Sequence, residues 1–164
     1  QYALGALEHT LGVLNDEGLY GVKLGIETMG KVNQLGTLDE VLALCKADTT
    51  VVPVVDFGHM NAREQGGVFT NADDYKRVFD RISESCGAVA AEHLHCHFSK
   101  IEYTSGGEKR HLTFEDTVYG PDFEPLMNAI SSLGVSPTII CESKGTMAED
   151  ALAMKKAYEG FLKA

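Results

Sequence analysis

Carboxylates and imidazoles recur at the ends of short apolar runs in this sequence. Glu27 follows Val22 to Ile26, and Asp56 follows Thr50 to Val55, with His59 three residues on. His93, His95 and His97 alternate through a third run, and Glu142 follows Pro137 to Cys141. Any one such group is unremarkable, but gathered on one rim they would put several negative charges in a small space, which only a cation makes tolerable. Carboxylates with imidazoles and without thiolates suit Zn²⁺, Mn²⁺ or Fe²⁺ rather than Ca²⁺. Strand alternation sets His93, His95 and His97 on one face, so one or two of them at most stand at the height of a rim metal. His111 follows in Gly106-Gly107-Glu108-Lys109-Arg110-His111, a stretch flexible enough to carry it back over the site. Lys109 and Arg110 are candidates to meet an anionic substrate.

The elements that would position these groups are regularly punctuated. Ala3 to Leu14 has helical periodicity and Val22 to Glu27 reads as a strand. Thr37 with Glu40 forms a capping box that opens a helix to about Ala47. Thr50 to Asp56 is the most β-branched stretch, a strand despite Pro53. A polar loop, His59 to Thr70, precedes a helix over Ala72 to Cys86 capped by Asn71. Glu92 to Phe98 is a third strand, and Ser99 to Pro121 reads as a long functional loop. Phe123 to Leu133 is a helix closed by Gly134, Pro137 to Cys141 a fourth strand, and Met147 to Leu162 a last helix. Strands alternating with helices mean an α/β protein with parallel strands and right-handed crossovers. An open doubly wound sheet fits. So do parallel (β/α) units forming about half of a TIM barrel, since the whole barrel takes about 250 residues.

With 164 residues, 44% hydrophobic and 23% charged, the chain reads as one globular domain over residues 1–164. Lys and Arg number 14 against 24 Asp and Glu, a net charge of −10, which argues against non-specific coating of nucleic acid. No apolar run approaches the roughly 18 residues of a membrane span. Four cysteines without CxxC spacing suggest free thiols in a reducing, cytoplasmic setting. Four strands of an unclosed barrel leave two bare edges, from which a homodimer is expected. A chain beginning at Gln1 is expected to be a processed product or a fragment of a longer protein.

Ile26-Glu27-Thr28-Met29-Gly30, Val55-Asp56-Phe57-Gly58-His59, His95-Cys96-His97-Phe98-Ser99-Lys100, Arg110-His111 and Ile140-Cys141-Glu142 together resemble the C-terminal half of the endonuclease IV family, in the xylose-isomerase-like barrel superfamily. The resemblance spans nearly the whole chain and implies a (β/α)₈ barrel that cuts DNA at abasic sites with three zinc ions. By this resemblance Glu27, Asp56, His95 and Glu142 match the ligands of one metal, and Glu27 also bridges to a second. His59 and His111 match two of the three ligands of the third. The family's carboxylate two residues before His111 is Lys109 here, with Glu108 adjacent. Glu142 is the group to orient the attacking hydroxide. Sugar isomerases or epimerases of the same superfamily, with one Mn²⁺ or Mg²⁺ on Glu27, Asp56, His95 and Glu142, are the alternative, and a non-catalytic metal-binding half-barrel is the third. An additional metal at His59 and His111 would favour phosphate chemistry.

Overall fold

A computed structural model describes residues 2–163. Its centre is a four-stranded parallel sheet in the order β1-β2-β3-β6, built from β1 (Leu24–Glu27), β2 (Val51–Asp56), β3 (His95–Phe98) and β6 (Thr138–Cys141). A separate antiparallel hairpin pairs β4 (Ile101–Thr104) with β5 (Gly107–His111). The helices are α1 (Tyr2–Asp16), α2 (Leu38–Leu44), α3 (Phe57–Arg63), α4 (Ala72–Cys86), α5 (Ala88–Glu92), α6 (Glu124–Leu133) and α7 (Met147–Phe161). Four neighbouring parallel strands in sequence order, backed by helices, make part of a (β/α) barrel. Among the described residues no helix is long and apolar enough to cross a membrane.

The capping box expected at Thr37 forms, and the cap expected at Asn71 is a capping box as well. Thr37 accepts from Glu40 N–H while Glu40 returns to the Thr37 backbone, and Asn71 and Asp74 do the same at the head of α4. Pro53 fits inside β2 because of which way its nitrogen points. Leu24 and Thr28 donate to Thr50 and Val54, so even-numbered residues of β2 face β1. Odd-numbered Pro53 therefore turns its hydrogen-free nitrogen toward β3, whose pairing begins only at Val54.

Parallel register sorts the side chains into two faces. On the outer face Val55, Leu94, Cys96 and Phe98 join Phe57, Tyr75, Phe79, Ile82, Leu126 and Ile130 in one core beneath α4 and α6. The Phe57 ring is its hub, edge-on to Phe69 and Tyr75 at 5.4 and 5.2 Å. The inner face carries Glu27, Val54, Asp56, His95, His97, Thr138 and Ile140. Ile140 is 44% exposed there, and α1 buries only Leu7. Neither surface has a partner layer among the described residues.

Three expected elements differ. The polar loop expected from His59 begins as helix α3, because the Asp56 carboxylate accepts from His59 N–H and caps a first turn. The strand expected over Glu92 to Phe98 is shorter, its start replaced by α5 and a turn. The long loop expected from Ser99 to Pro121 contains the β4–β5 hairpin.

Candidate metal centre

The C-terminal ends of the four parallel strands converge. Glu27, Asp56, His97 and Glu142 each offer one ligand atom, all within 4.8 Å of one another. His97 Nδ1 lies 2.9 Å from Glu27 Oε1 and 3.5 Å from Glu142 Oε1. Asp56 is fully buried and its two oxygens are used differently. Oδ1 accepts from His59 N–H at 2.8 Å, whereas Oδ2 is buried with no hydrogen-bond partner and has the His59 Nδ1 at 3.3 Å. An orphaned carboxylate oxygen beside two further carboxylates and an imidazole is the environment a divalent cation would complete.

His95, which the family resemblance puts among the ligands, stands outside this group, and His97 stands in it. Register explains it: Asp56 pairs with His97, whereas His95 pairs with Val54. His95 is on the correct face but two residues lower, roughly 6.6 Å down the strand. The spacing alone had left both histidines open.

A second group consists of His59, Glu108 and His111, again with ligand atoms within 4.8 Å. Glu108 takes the place in which Lys109 interrupts the family pattern, and a β-bulge is the reason. Glu102 pairs with Arg110 and Tyr103 with Glu108, so Lys109 is the extra residue. Three residues apart on a regular strand, Glu108 and His111 would face opposite ways; one bulged residue turns both to the same side. Lys109 and Arg110 both pair with Glu102 and remain exposed. The sequence did contain a hairpin signal, in Ile101-Glu102-Tyr103-Thr104 followed by Ser105-Gly106.

Backbone and hydroxyl groups aim both imidazoles. The Thr28 carbonyl can only accept, so His59 Nδ1–H donates to it at 3.0 Å and leaves Nε2 toward Glu108 Oε2 at 3.5 Å. Ser99 Oγ sits 2.8 Å from His111 Nδ1, which turns the Nε2 of that ring toward Glu108. Thr28 is wholly buried and also receives Asp56 N–H on its hydroxyl at 2.9 Å, knotting the ends of β1 and β2. Arg63 was not singled out by spacing, yet its guanidinium donates to the carbonyls of Met29, Lys31, Val32 and Gln34. That holds the 29–34 loop against the hairpin, where Lys31 bridges Gly107.

Gly30 and Gly107 make this crossing close. Glu108 N–H donates to the Gly30 carbonyl at 2.9 Å, and a Cβ on Gly107 would lie 2.1 Å from that oxygen. A Cβ on Gly30 would lie 2.6 Å from Glu108 Cβ and 3.1 Å from His59 Cδ2. Gly30→Ala is therefore expected to displace Glu108 and weaken cation binding at the second group by at least roughly 10-fold, as lost support of a ligand does. Calorimetric titration reads this as a change in one binding step, the other being unaltered. Two unaltered binding steps in Gly30→Ala would mean that Glu108 is not a ligand.

The electrostatics suit proton-for-cation exchange. Burial alone would lower the His59 imidazole, but Glu27, Asp56 and Glu108 around it, with the Thr28 carbonyl, hold it up at about 9. Burial pushes the Asp56 carboxyl up, partly offset by His59. His59 in turn holds Glu27 below the usual carboxylate range, with burial opposing and His97 adding. A raised imidazole contributes stability fully present below its unfolded value near 6.5 and lost as pH rises through about 9. The metal-free chain is thus expected to lose stability across that window. Cation binding to His59 should release close to one proton at pH 7, read by calorimetry in buffers of different ionisation enthalpy. Release of no proton would place the cation away from His59.

Residues 6–163 match the family described as xylose isomerase-like TIM barrel. The uncharacterized protein MJ0133 of Methanocaldococcus jannaschii is 34% identical over 137 residues, covering 84% of this chain and 48% of that protein. Among solved structures, the 3-keto-D-glucoside 4-epimerase YcjR from E. coli superposes with a TM-score of 0.54 at 14% identity, covering 98% of this chain and 52% of its own. At that identity the likeness concerns the fold. The chain spans about half the length of both relatives.

Proposed function

The chain belongs to the xylose isomerase-like TIM barrel family, and on that premise we propose that it carries half of the active site of a metal-dependent phosphodiesterase that cuts DNA at abasic sites. The observation that carries the reading is the second donor group. A sugar isomerase or epimerase needs one cation between two glutamates, which Glu27, Asp56, His97 and Glu142 would supply. His59, Glu108 and His111 form a further three-donor set beside them, and paired cations about 4 Å apart are an arrangement for phosphate displacement. The imidazole share of the donors favours zinc over Mg²⁺.

Cations held there would acidify water from about 15.7 toward about 7 and neutralise charge developing on the phosphate. The residues do the rest. Glu27, Asp56 and His97 fix one position from three adjacent strands. Glu142 stands 34% exposed at the rim, within 3.5 Å of His97 Nδ1, placed to orient an incoming water and to accept its proton. Thr28 and Ser99 keep the His59 and His111 rings from turning away.

The second reading, epimerisation of a keto sugar, draws on the fold likeness to YcjR. One experiment separates the two. The closed barrel containing this half is loaded with zinc or manganese, then offered a duplex oligonucleotide with one abasic site and, separately, a panel of ketoses. Cleavage 5′ to the abasic site is expected, falling by roughly 10²- to 10⁴-fold in Glu142→Gln with DNA binding retained. Turnover of a ketose without cleavage would overturn the phosphodiesterase reading. This chain alone is expected to bind the cations and to cleave weakly, because its inner face has no partner layer among the described residues.

A further inference from the structure

Cys45 caps the C-terminus of α2, and Cys86 is the last residue of α4. These helices lie side by side, with Arg81 of α4 paired to Asp39 in the first turn of α2. At 1.5 Å per residue, Cys45 stands about 9 Å beyond Asp39, and Cys86 about 7.5 Å beyond Arg81. Parallel helices tied at one level therefore bring the two cysteines to nearly the same height, on the wall of one groove. Both thiols are free and half-buried, and both line a groove of about 750 Å³ with Lys23, Val51, Pro53 and His93. That groove is at the N-terminal ends of the strands, opposite the carboxylate rim.

We infer that Cys45 and Cys86 close to a reversible intramolecular disulfide, which makes this groove a site of oxidative modification. The oxidant is a low-molecular-weight disulfide. Cys86, as thiolate, attacks it to form a mixed disulfide and release one small thiolate. Cys45 gives its proton to solvent and attacks the Cys86 sulfur, expelling the second small thiolate. Two protein thiols are oxidised and one disulfide is reduced, so the electrons balance. Burial pushes the Cys45 thiol up to about 12, which leaves the opening attack to Cys86. The bridge encloses roughly 40 residues, among them β2 and α3 with Asp56 and His59, and loops of that length restrict the unfolded chain strongly. Cys96 and Cys141 are buried and serve as internal controls.

The purified chain is incubated with oxidised glutathione, denatured, treated with N-ethylmaleimide and analysed as intact protein and as peptides. The expected product has lost about 2 Da, carries two blocked thiols, yields a peptide pair joined through Cys45 and Cys86, and melts roughly 10 °C higher. Cys45→Ser and Cys86→Ser should each lose both the joined peptides and the shift. Four blocked thiols after oxidation, a lasting glutathione adduct on Cys86 in the parent chain, or bridges between chains would each overturn the inference. None of these readouts involves a metal or DNA.

Discussion

Asp56→Asn is expected to move the melting temperature in opposite directions with and without metal. Asp56 is fully buried, and its carboxyl is pushed up by that burial. Asparagine keeps Oδ1, and with it the cap on His59 N–H that starts α3. It replaces the orphaned Oδ2 with an amide that carries no charge. The metal-free variant should therefore melt no lower than the parent, and higher at neutral pH, because burial of the carboxylate outweighs its attraction to His59 Nδ1, 3.3 Å away, and an amide escapes that cost. With cation the order reverses. A ligand present at 100 times its Kd adds about 2.7 kcal/mol, roughly 5–10 °C for a chain of this size. Losing a coordinating oxygen should exceed the roughly 10- to 100-fold cost of losing support behind a ligand, so the variant forfeits nearly all of that gain. Thermal melts with zinc, with manganese and with a chelator measure both signs. The same shift in all three conditions would mean that Asp56 holds no cation and would remove the metal centre.

How much of this was legible in the sequence depends on whether a feature is local. Capping boxes at Thr37 and Asn71 are local, and the helices begin where those residues place them. The apolar runs ending in Glu27, Asp56 and Glu142 are also local, and the parallel sheet sets their ends on one rim. Register is not local. Alternation puts His95 and His97 on the same face, and only the pairing of β2 with β3 selects His97. Likewise Glu108 reaches His59 through a bulge whose extra residue is defined by the partner strand. Arg63 serves four carbonyls from a different part of the chain, and no spacing within the sequence announces that. Residue types thus indicated the chemistry, while cross-strand geometry chose among candidate ligands.

The same geometry ties the centre to the core, which makes Phe57→Ala the most destabilising substitution expected in this chain. Phe57 follows Asp56 directly, so the backbone that aims the carboxylate inward aims this ring outward. It is 0% exposed, with Phe69, Tyr75, Phe79 and Phe98 all within 6.5 Å between centroids. Four rings held by their own strands and helices cannot all collapse into the space it leaves. Truncation should cost about 3–5 kcal/mol, two to four decades in the folded-to-unfolded ratio. Urea titration measures this as a lower midpoint at unchanged slope, while Phe57→Leu, which keeps most of the volume, should lose less than half as much. Saturating cation should restore part of the loss by binding only the folded chain. It would do so through Asp56 and His59 on either side of the missing ring, so rescue should disappear in the Asp56→Asn, Phe57→Ala double variant. A cost below about 1 kcal/mol for Phe57→Ala would mean that the core closes over the gap and that α3 is held by the metal centre rather than by its ring.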